Sequence, residues 1–166
     1  MATNNVTNTY ISIGSGKELT MPAQPAFLAT LSSQQANVSG NGAAYSFVCD
    51  TEIFDQNLDY DNGTGIFTAP VTGRYILCAK SYMSGASACV GGRTQIVTSN
   101  RLYFSGYLKP ASNADILTDI SIIADMDAAD TAYPQAAYYG ESSNILDLEP
   151  VSGADTRTLF SGYLAC

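Results

Sequence analysis

Phe67-Thr68-Ala69-Pro70-Val71-Thr72-Gly73-Arg74-Tyr75 is the stretch from which the fold is read. Phe67, Tyr75 and Leu77 sit where alternate residues of a strand face inward, and Pro70 and Gly73 supply a tight turn between two strands. Outward from this point, short strand-like runs alternate with turn clusters at the spacing of a β-sandwich. The clearest runs are residues 26–31, 44–48, 66–68, 74–83, 94–97, 116–123, 132–139 and 158–165. Between them lie clusters such as Val38-Ser39-Gly40-Asn41-Gly42, Asp59-Tyr60-Asp61-Asn62-Gly63 and Ser152-Gly153-Ala154-Asp155. No window carries a helical period, so the expected class is all-β. The pentapeptide Phe104-Ser105-Gly106-Tyr107-Leu108 recurs as Phe160-Ser161-Gly162-Tyr163-Leu164, which we read as two strands meeting similar packing demands.

Composition narrows the function. At 166 residues the chain has the size of one domain and can bury roughly 70% of its unfolded surface. With four Glu and three Lys against abundant Thr, Ser, Asn, Tyr, Val and Ile, it favours strands over helices. The net charge is −8 and the basic residues are scattered, so there is no positive footprint for nucleic acid or an anionic membrane. Histidine is absent, which excludes Ser-His and Cys-His nucleophiles and removes the commonest metal ligand. Cys49, Cys78, Cys89 and Cys166 form no Cys-x-x-Cys pair and are expected as free thiols packed like small hydrophobes. The first residues have neither a basic nor an apolar leader region, and no run reaches the roughly 18 apolar residues of a membrane helix. A chain without leader or membrane insertion is therefore expected. The sequons at Asn5, Asn37 and Asn62 read as chance in an Asn- and Thr-rich sequence. Residues 1–24 form a polar arm whose one apolar alternation is Tyr10, Ile11 and Ile13; Pro22 and Pro25 mark the boundary to a domain of residues 25–166.

Asp55, Tyr60, Phe67, Gly73 and Tyr75 fall at the spacings of the C1q globular-head signature, whereas Cys49, Leu77 and Ala79 depart from its aromatic positions. Ala26-Phe27-Leu28-Ala29 resembles that family's opening strand, Asp130-Thr131-Ala132 its penultimate strand entry and residues 159–164 its closing strand. From residue 25 to 166 the chain thus resembles a complement C1q-like globular domain of the C1q/tumour necrosis factor jelly-roll superfamily. The resemblance implies a ten-strand jelly-roll sandwich that assembles as a homotrimer through inner-sheet strands. It places Phe27, Phe67, Ile120, Ile122, Phe160 and Tyr163 at the trimer interface, and Leu77 and Ala79 on an outer-sheet strand.

Several candidate sites follow. Asp125, Asp127 and Asp130 are the candidate calcium ligands, since hard cations take carboxylate oxygens and some family members bind calcium; the competing reading is a solvated turn. Beyond that calcium no cofactor is expected. Asp59-Tyr60-Asp61 mimics the start of an EF-hand loop, but its twelfth position is Pro70 rather than Glu. Carboxylates are too frequent in turns for their spacing to indicate a glycosidase, and no enzyme is expected. Of Tyr138 and Tyr139, adjacent on a strand, at least one belongs to the core. The connections 106–113 and 140–157 should lie at the end opposite the arm. There Tyr107, Lys109, Ser143, Asn144, Asp147 and Arg157 are candidates for a cell-surface glycan receptor. By analogy the chain resembles bacteriophage virion surface proteins such as capsid decorations, head fibres or tail-fibre tips, assembled in the host cytoplasm. Residues 1–24 would hold a capsid or tail protein. The alternative is an extracellular C1q-like lectin or adhesion domain of a cell.

Overall fold

The computed structural model describes residues 14–16, 21–108, 115–150 and 152–166; Lys109 and most of the arm lie outside them. Thirteen strands are described. They are β1 (Ala26–Thr30), β2 (Gln35–Ser39), β3 (Tyr45–Ser46), β4 (Thr51–Asp55), β5 (Tyr60–Asp61), β6 (Ile66–Thr68), β7 (Gly73–Ser84), β8 (Gly91–Thr98), β9 (Leu102–Phe104), β10 (Ile116–Met126), β11 (Thr131–Tyr139), β12 (Leu146–Leu148) and β13 (Leu159–Leu164). Among the described residues no helix is long and apolar enough to cross a membrane.

Two sheets face each other. The first runs β2-β12-β7-β13-β1-β4, with β10 along the other side of β7; the second runs β5-β6-β11-β8-β9, with β3 beside β11. The sheets have seven and six strands among the described residues, thirteen where ten were expected, and the short β2, β3 and β12 are among them. These three arise because β7 and β11 are long. β13 covers β7 only from Tyr75 to Lys80, and β6 covers β11 only at Thr131 and Ala132, so backbone groups beyond those points take further partners.

Sheet membership corrects one expectation. Phe67 lies on β6 in the second sheet, while Leu77 and Ala79 lie on β7 in the middle of the first. The turn after Phe67 is a crossing between layers rather than a hairpin: β6 pairs with β5 and β11, β7 with β10, β12 and β13. Several bonds pin the crossing. The Tyr75 hydroxyl donates to the Val71 carbonyl at 2.7 Å, and the Ala69 N–H donates to the Asp130 carbonyl at 2.8 Å. Gly73 is required for space, because a Cβ there would meet Leu164 Cδ1 at 2.6 Å and the Cys166 carbonyl at 2.7 Å.

The core lies between the sheets and is aromatic at one end. Phe27 stacks on Tyr60 and Phe67 at centroid distances of 4.8 and 4.9 Å and meets Phe160 edge-on at 5.1 Å. Nearer the other end the core is polar but satisfied: Ser81, Thr94, Thr118 and Tyr138 share a buried hydroxyl network with distances from 2.6 to 3.3 Å. Tyr138 is thus core, while Tyr139 is half-buried against Tyr107, their rings 4.7 Å apart. All four thiols are free; burial pushes the Cys49 thiol pKa up, so it stays protonated.

Edge strand β4 carries a bulge. Leu28 pairs with Phe54 and Ala29 with Glu52, which leaves Ile53 as an extra, exposed residue.

Candidate functional site

The side of the first sheet that faces away from the core forms the most continuous candidate surface. Along β10, Ile116, Thr118, Ile120, Ala124 and Met126 are buried, and the residues between them are exposed, apart from half-buried Ile122. A strand turns alternate side chains to opposite faces, so Leu117, Asp119, Ser121, Ile123 and Asp125 stand on the open side. Strand register extends this into rows. One row is Ala26, Tyr163, Ile76 and Ile123; the next is Phe54, Leu28, Ser161, Cys78 and Ser121. These rows are apolar or small. Beyond them on either side come the cross-strand pairs Arg74–Asp125 and Lys80–Asp119, so an apolar band is bounded by charge at both ends. Ile123, Phe54 and Tyr163 are 65%, 49% and 46% exposed. A cavity of about 570 Å³ opens on this face, with Leu28, Phe54, Ile76, Cys78 and Tyr163 among its walls.

Of the six expected interface residues, only Tyr163 stands on this open face. Phe27, Phe67 and Phe160 are sealed between the sheets, Ile120 is buried with them, and Ile122 shares Ile120's core-facing parity. The side chains of Phe27, Phe67, Ile120 and Phe160 are committed to the protomer's own core, and Ile122 is half-buried against it. The sequence reading selected the largest apolar residue of each strand, and in a two-layer fold those residues fill the interior. A surface one residue out of phase carries Leu28, Ile76, Cys78, Ser121, Ile123 and Ser161 instead. The signal that identifies them is the alternation phase relative to Phe27, Tyr75 and Phe160.

A second apolar strip runs along the rim. Leu102, Phe104, Tyr107, Leu108 and Leu117 are exposed on and after edge strand β9 and on β10, and the Arg93 guanidinium lies 4.6 Å over the Phe104 ring.

The candidate receptor residues divide. Asp147 Oδ1 accepts the Asn37 N–H at 2.7 Å and so fastens β2 to β12; the Arg157 guanidinium stacks 5.1 Å over Tyr82. Asn144 Oδ1 accepts the Asn41 N–H at 3.5 Å. These three groups already have internal work, whereas Ser143 and the Tyr107 ring remain open at the surface. Lys109 lies outside the described residues.

The candidate calcium ligands do not converge. Asp130 Oδ2 accepts the Asp127 N–H at 2.8 Å and the Asn100 side-chain amide at 2.6 Å, which closes a turn. Asp127 Oδ1 accepts the Thr72 hydroxyl at 3.4 Å, and Asp125 stands on the open sheet face opposite Arg74. Among the described residues no three His, Cys, Asp or Glu side chains gather. Asp127 and Asp130 are structural, as turn carboxylates often are.

The best-organised carboxylate is one the sequence reading passed over. Glu141 accepts the Ala88 N–H at 2.6 Å, the Ser87 N–H at 2.8 Å and the Ser87 hydroxyl at 3.0 Å. Those donors, the Ala88 amide foremost, hold its carboxyl below the usual carboxylate range and fix the turn between β7 and β8. A carboxyl whose pKa is depressed on folding stabilises above its ordinary value near 4.5, and this is lost as pH falls through the folded value. We predict that Glu141→Gln lowers the melting temperature at neutral pH and flattens its fall on acidification. Melting curves between about pH 3 and pH 7 check this; parallel curves for both proteins would show that the Glu141 charge does not matter.

No known family model matches the sequence, and no curated protein is similar to it. Solved structures do match. The globular domain of zebrafish complement 1qA protein superposes with a TM-score of 0.57 at 14% identity, over 86% of this chain and 98% of that one. Murine APRIL at pH 5.0 gives 0.56 at 10% identity, over 85% and 98%. At pH 8.5 it gives 0.55 at 8% identity over the same shares. The fold is that of the C1q/tumour necrosis factor jelly rolls.

Proposed function

We propose that the chain is a non-catalytic binding module that works as a homotrimer, built through the open face of the first sheet and displayed on a bacteriophage particle. The observation that carries the assembly is the apolar band on that face. Leaving it in water forgoes roughly 25 cal/mol for each Å² of apolar surface that contact would bury, and soluble monomers seldom present such a band. The rim strip on β9 and β10 is a second, different apolar surface. One patch meeting another on the next copy is a heterologous contact, which closes into a ring when the rotation permits. A ring of three accords with the complement-like and APRIL-like fold. Scattering should therefore give the purified protein three times its 17.5 kDa chain mass at micromolar concentration; a clean monomer would sink the proposal.

The proposed setting places the two ends of the sandwich in different roles. The Leu164 N–H donates to the Pro25 carbonyl at 3.0 Å, so the domain's first and last residues share one end, and residues 1–24, which precede the domain in sequence, would hold a capsid or tail protein. Ser143 lies toward the other end, where a host-surface glycan would bind. Repeating a weak site three times raises its avidity through effective concentration. Lack of histidine and the internal commitment of Asp127, Asp130 and Glu141 support binding rather than catalysis.

A further inference from the structure

The outer side of the second sheet carries an aromatic and cationic row that neither the core nor the apolar band uses. On β8, Thr94 and Ile96 are buried in the core, so Gly91, Arg93 and Gln95 turn the other way. Register sets Tyr139 beside Gly91 and Phe104 beside Gln95. The Tyr107 ring lies directly on Gly91, where a Cβ would meet its Cε1 at 2.1 Å, and packs against Tyr139. Tyr107 and Phe104 are both exposed. Arg93 lies between them on the same strand face, its guanidinium 4.6 Å over the Phe104 ring. Gly91 and Gln95 are about 13 Å apart along the strand, so two ring platforms flank a cation over the length of a short oligosaccharide. Alternation also divides the rim strip. Leu117 turns to the open side of the first sheet, and Leu102 and Phe104 turn to the outer side of the second. A copy that closes on the apolar band from the Leu117 side therefore leaves this row open.

Arg93 is the member that points to a ligand. The Phe104 ring takes the flat face of its guanidinium and none of its donors, and Nε is buried with no hydrogen-bond partner among the described residues. The chain has fifteen acidic residues against seven basic ones, and it sets an aromatic ring rather than a carboxylate against this cation. Stacking holds the guanidinium in place without using its fork, which matches a carboxylate through two parallel hydrogen bonds. Exposed aromatic rings supply the apolar platform on which the C–H face of a sugar can lie. We propose that this row binds a saccharide bearing a carboxylate, with the acid group on Arg93 and the adjoining sugar rings on Tyr107 and Phe104. A net charge of −8 disfavours a long polyanion such as nucleic acid, whereas a single carboxylate meets only the local cation. The inference rests on the reading of the chain as a glycan-binding module and gives that module a ligand class and a place. The row starts at Tyr139, four residues before Ser143, and runs from there along the outer face.

The test is an array of surface-linked glycans, neutral and carboxylate-bearing, probed with the full chain. Carboxylate-bearing glycans should retain it, and reducing their carboxyl groups to alcohols should weaken binding about tenfold, the order expected of a charge-assisted pair. Arg93→Gln should lower binding by the same factor and abolish the distinction between the acid and its reduced form. Gly91→Ala keeps every side chain of the row but takes the seat of the Tyr107 ring; it and Tyr107→Ala should each weaken binding of both forms severalfold. Leu58→Asn, next to the Asn57 that holds Ala23, should bind as the wild type does. Circular dichroism checks the fold of each variant, and if Arg93→Gln unfolds, Tyr107→Ala, at an exposed ring, still decides the matter. Equal binding of the acid and reduced forms by the wild type would overturn the inference. Undiminished binding by both Arg93→Gln and Tyr107→Ala would overturn it too, but would leave the glycan reading in place with its contact elsewhere. Retention on no glycan at all would overturn both.

Discussion

Truncating Phe27 to Ala is expected to lower folding stability by about 3–5 kcal/mol, a large part of the roughly 5–15 kcal/mol that holds a domain of this size together. The ring is 1% exposed and touches three other rings, Tyr60 and Phe67 from the second sheet and Phe160 from the first. It is the side chain through which the two layers meet at the aromatic end. Removing it leaves a hole whose walls belong to strands fixed by pairing on both sides, so the site cannot collapse around the smaller residue. The midpoint of urea unfolding, read at unchanged slope, measures the loss. A shift equivalent to less than about 1 kcal/mol would place the ring outside the tightly packed interior.

Replacing Ile76 by Asp should leave the isolated protomer nearly as stable as before but reduce the scattering mass to that of a single chain. Ile76 is half-buried in the middle of the open band, between Tyr163 on β13 and Ile123 on β10. On a free protomer a carboxylate there stays hydrated. In an assembly closed over that band it would be buried without a partner, at several kcal/mol in each copy, and every copy in the ring carries the same defect. Circular dichroism confirms the fold and light scattering the mass. A variant that keeps the wild-type mass at micromolar concentration would move the contact off this face. A variant that unfolds would be replaced by Ile123→Asp, whose side chain is more exposed.

How far the sequence could be read depended on burial. All eight runs picked out by alternation overlap strands, and in β1, β7, β10 and β13 the period of two is imposed by core on one face and a more open surface on the other. The strands that were missed, β2, β4, β5, β9 and β12, are short or lie at sheet edges, where pairing rather than a hydrophobic face holds the backbone. β2 even takes Asn37 through φ +58°. The repeated pentapeptide makes the same point within one chain. Phe160 is fully buried on β13, while Phe104, in the identical five residues, is 57% exposed where β9 ends. Local sequence was the same, and neighbours decided the outcome. The binding surfaces were harder still. Phase along a strand separates the core of a protomer from its outer face, and choosing by hydrophobicity alone selects the core. The Asp125–Asp130 group misled for a related reason, since a carboxylate that caps a turn and one that binds a cation have the same spacing in sequence.

The bulge at Ile53 bears on what happens when many copies are crowded together. β4 is the outermost strand of the first sheet, and Ile53 and Phe54 both point into solvent beside it. A straight strand of that composition would offer a regular row of unpaired amides and carbonyls to the like strand of another molecule, the usual opening to fibre growth. With one surplus residue the row is broken at Ile53, between Glu52 and Phe54, and an incoming strand loses its register there. Pairing through this edge is thereby disfavoured, so copies held at high local density are less prone to join strand to strand at β4.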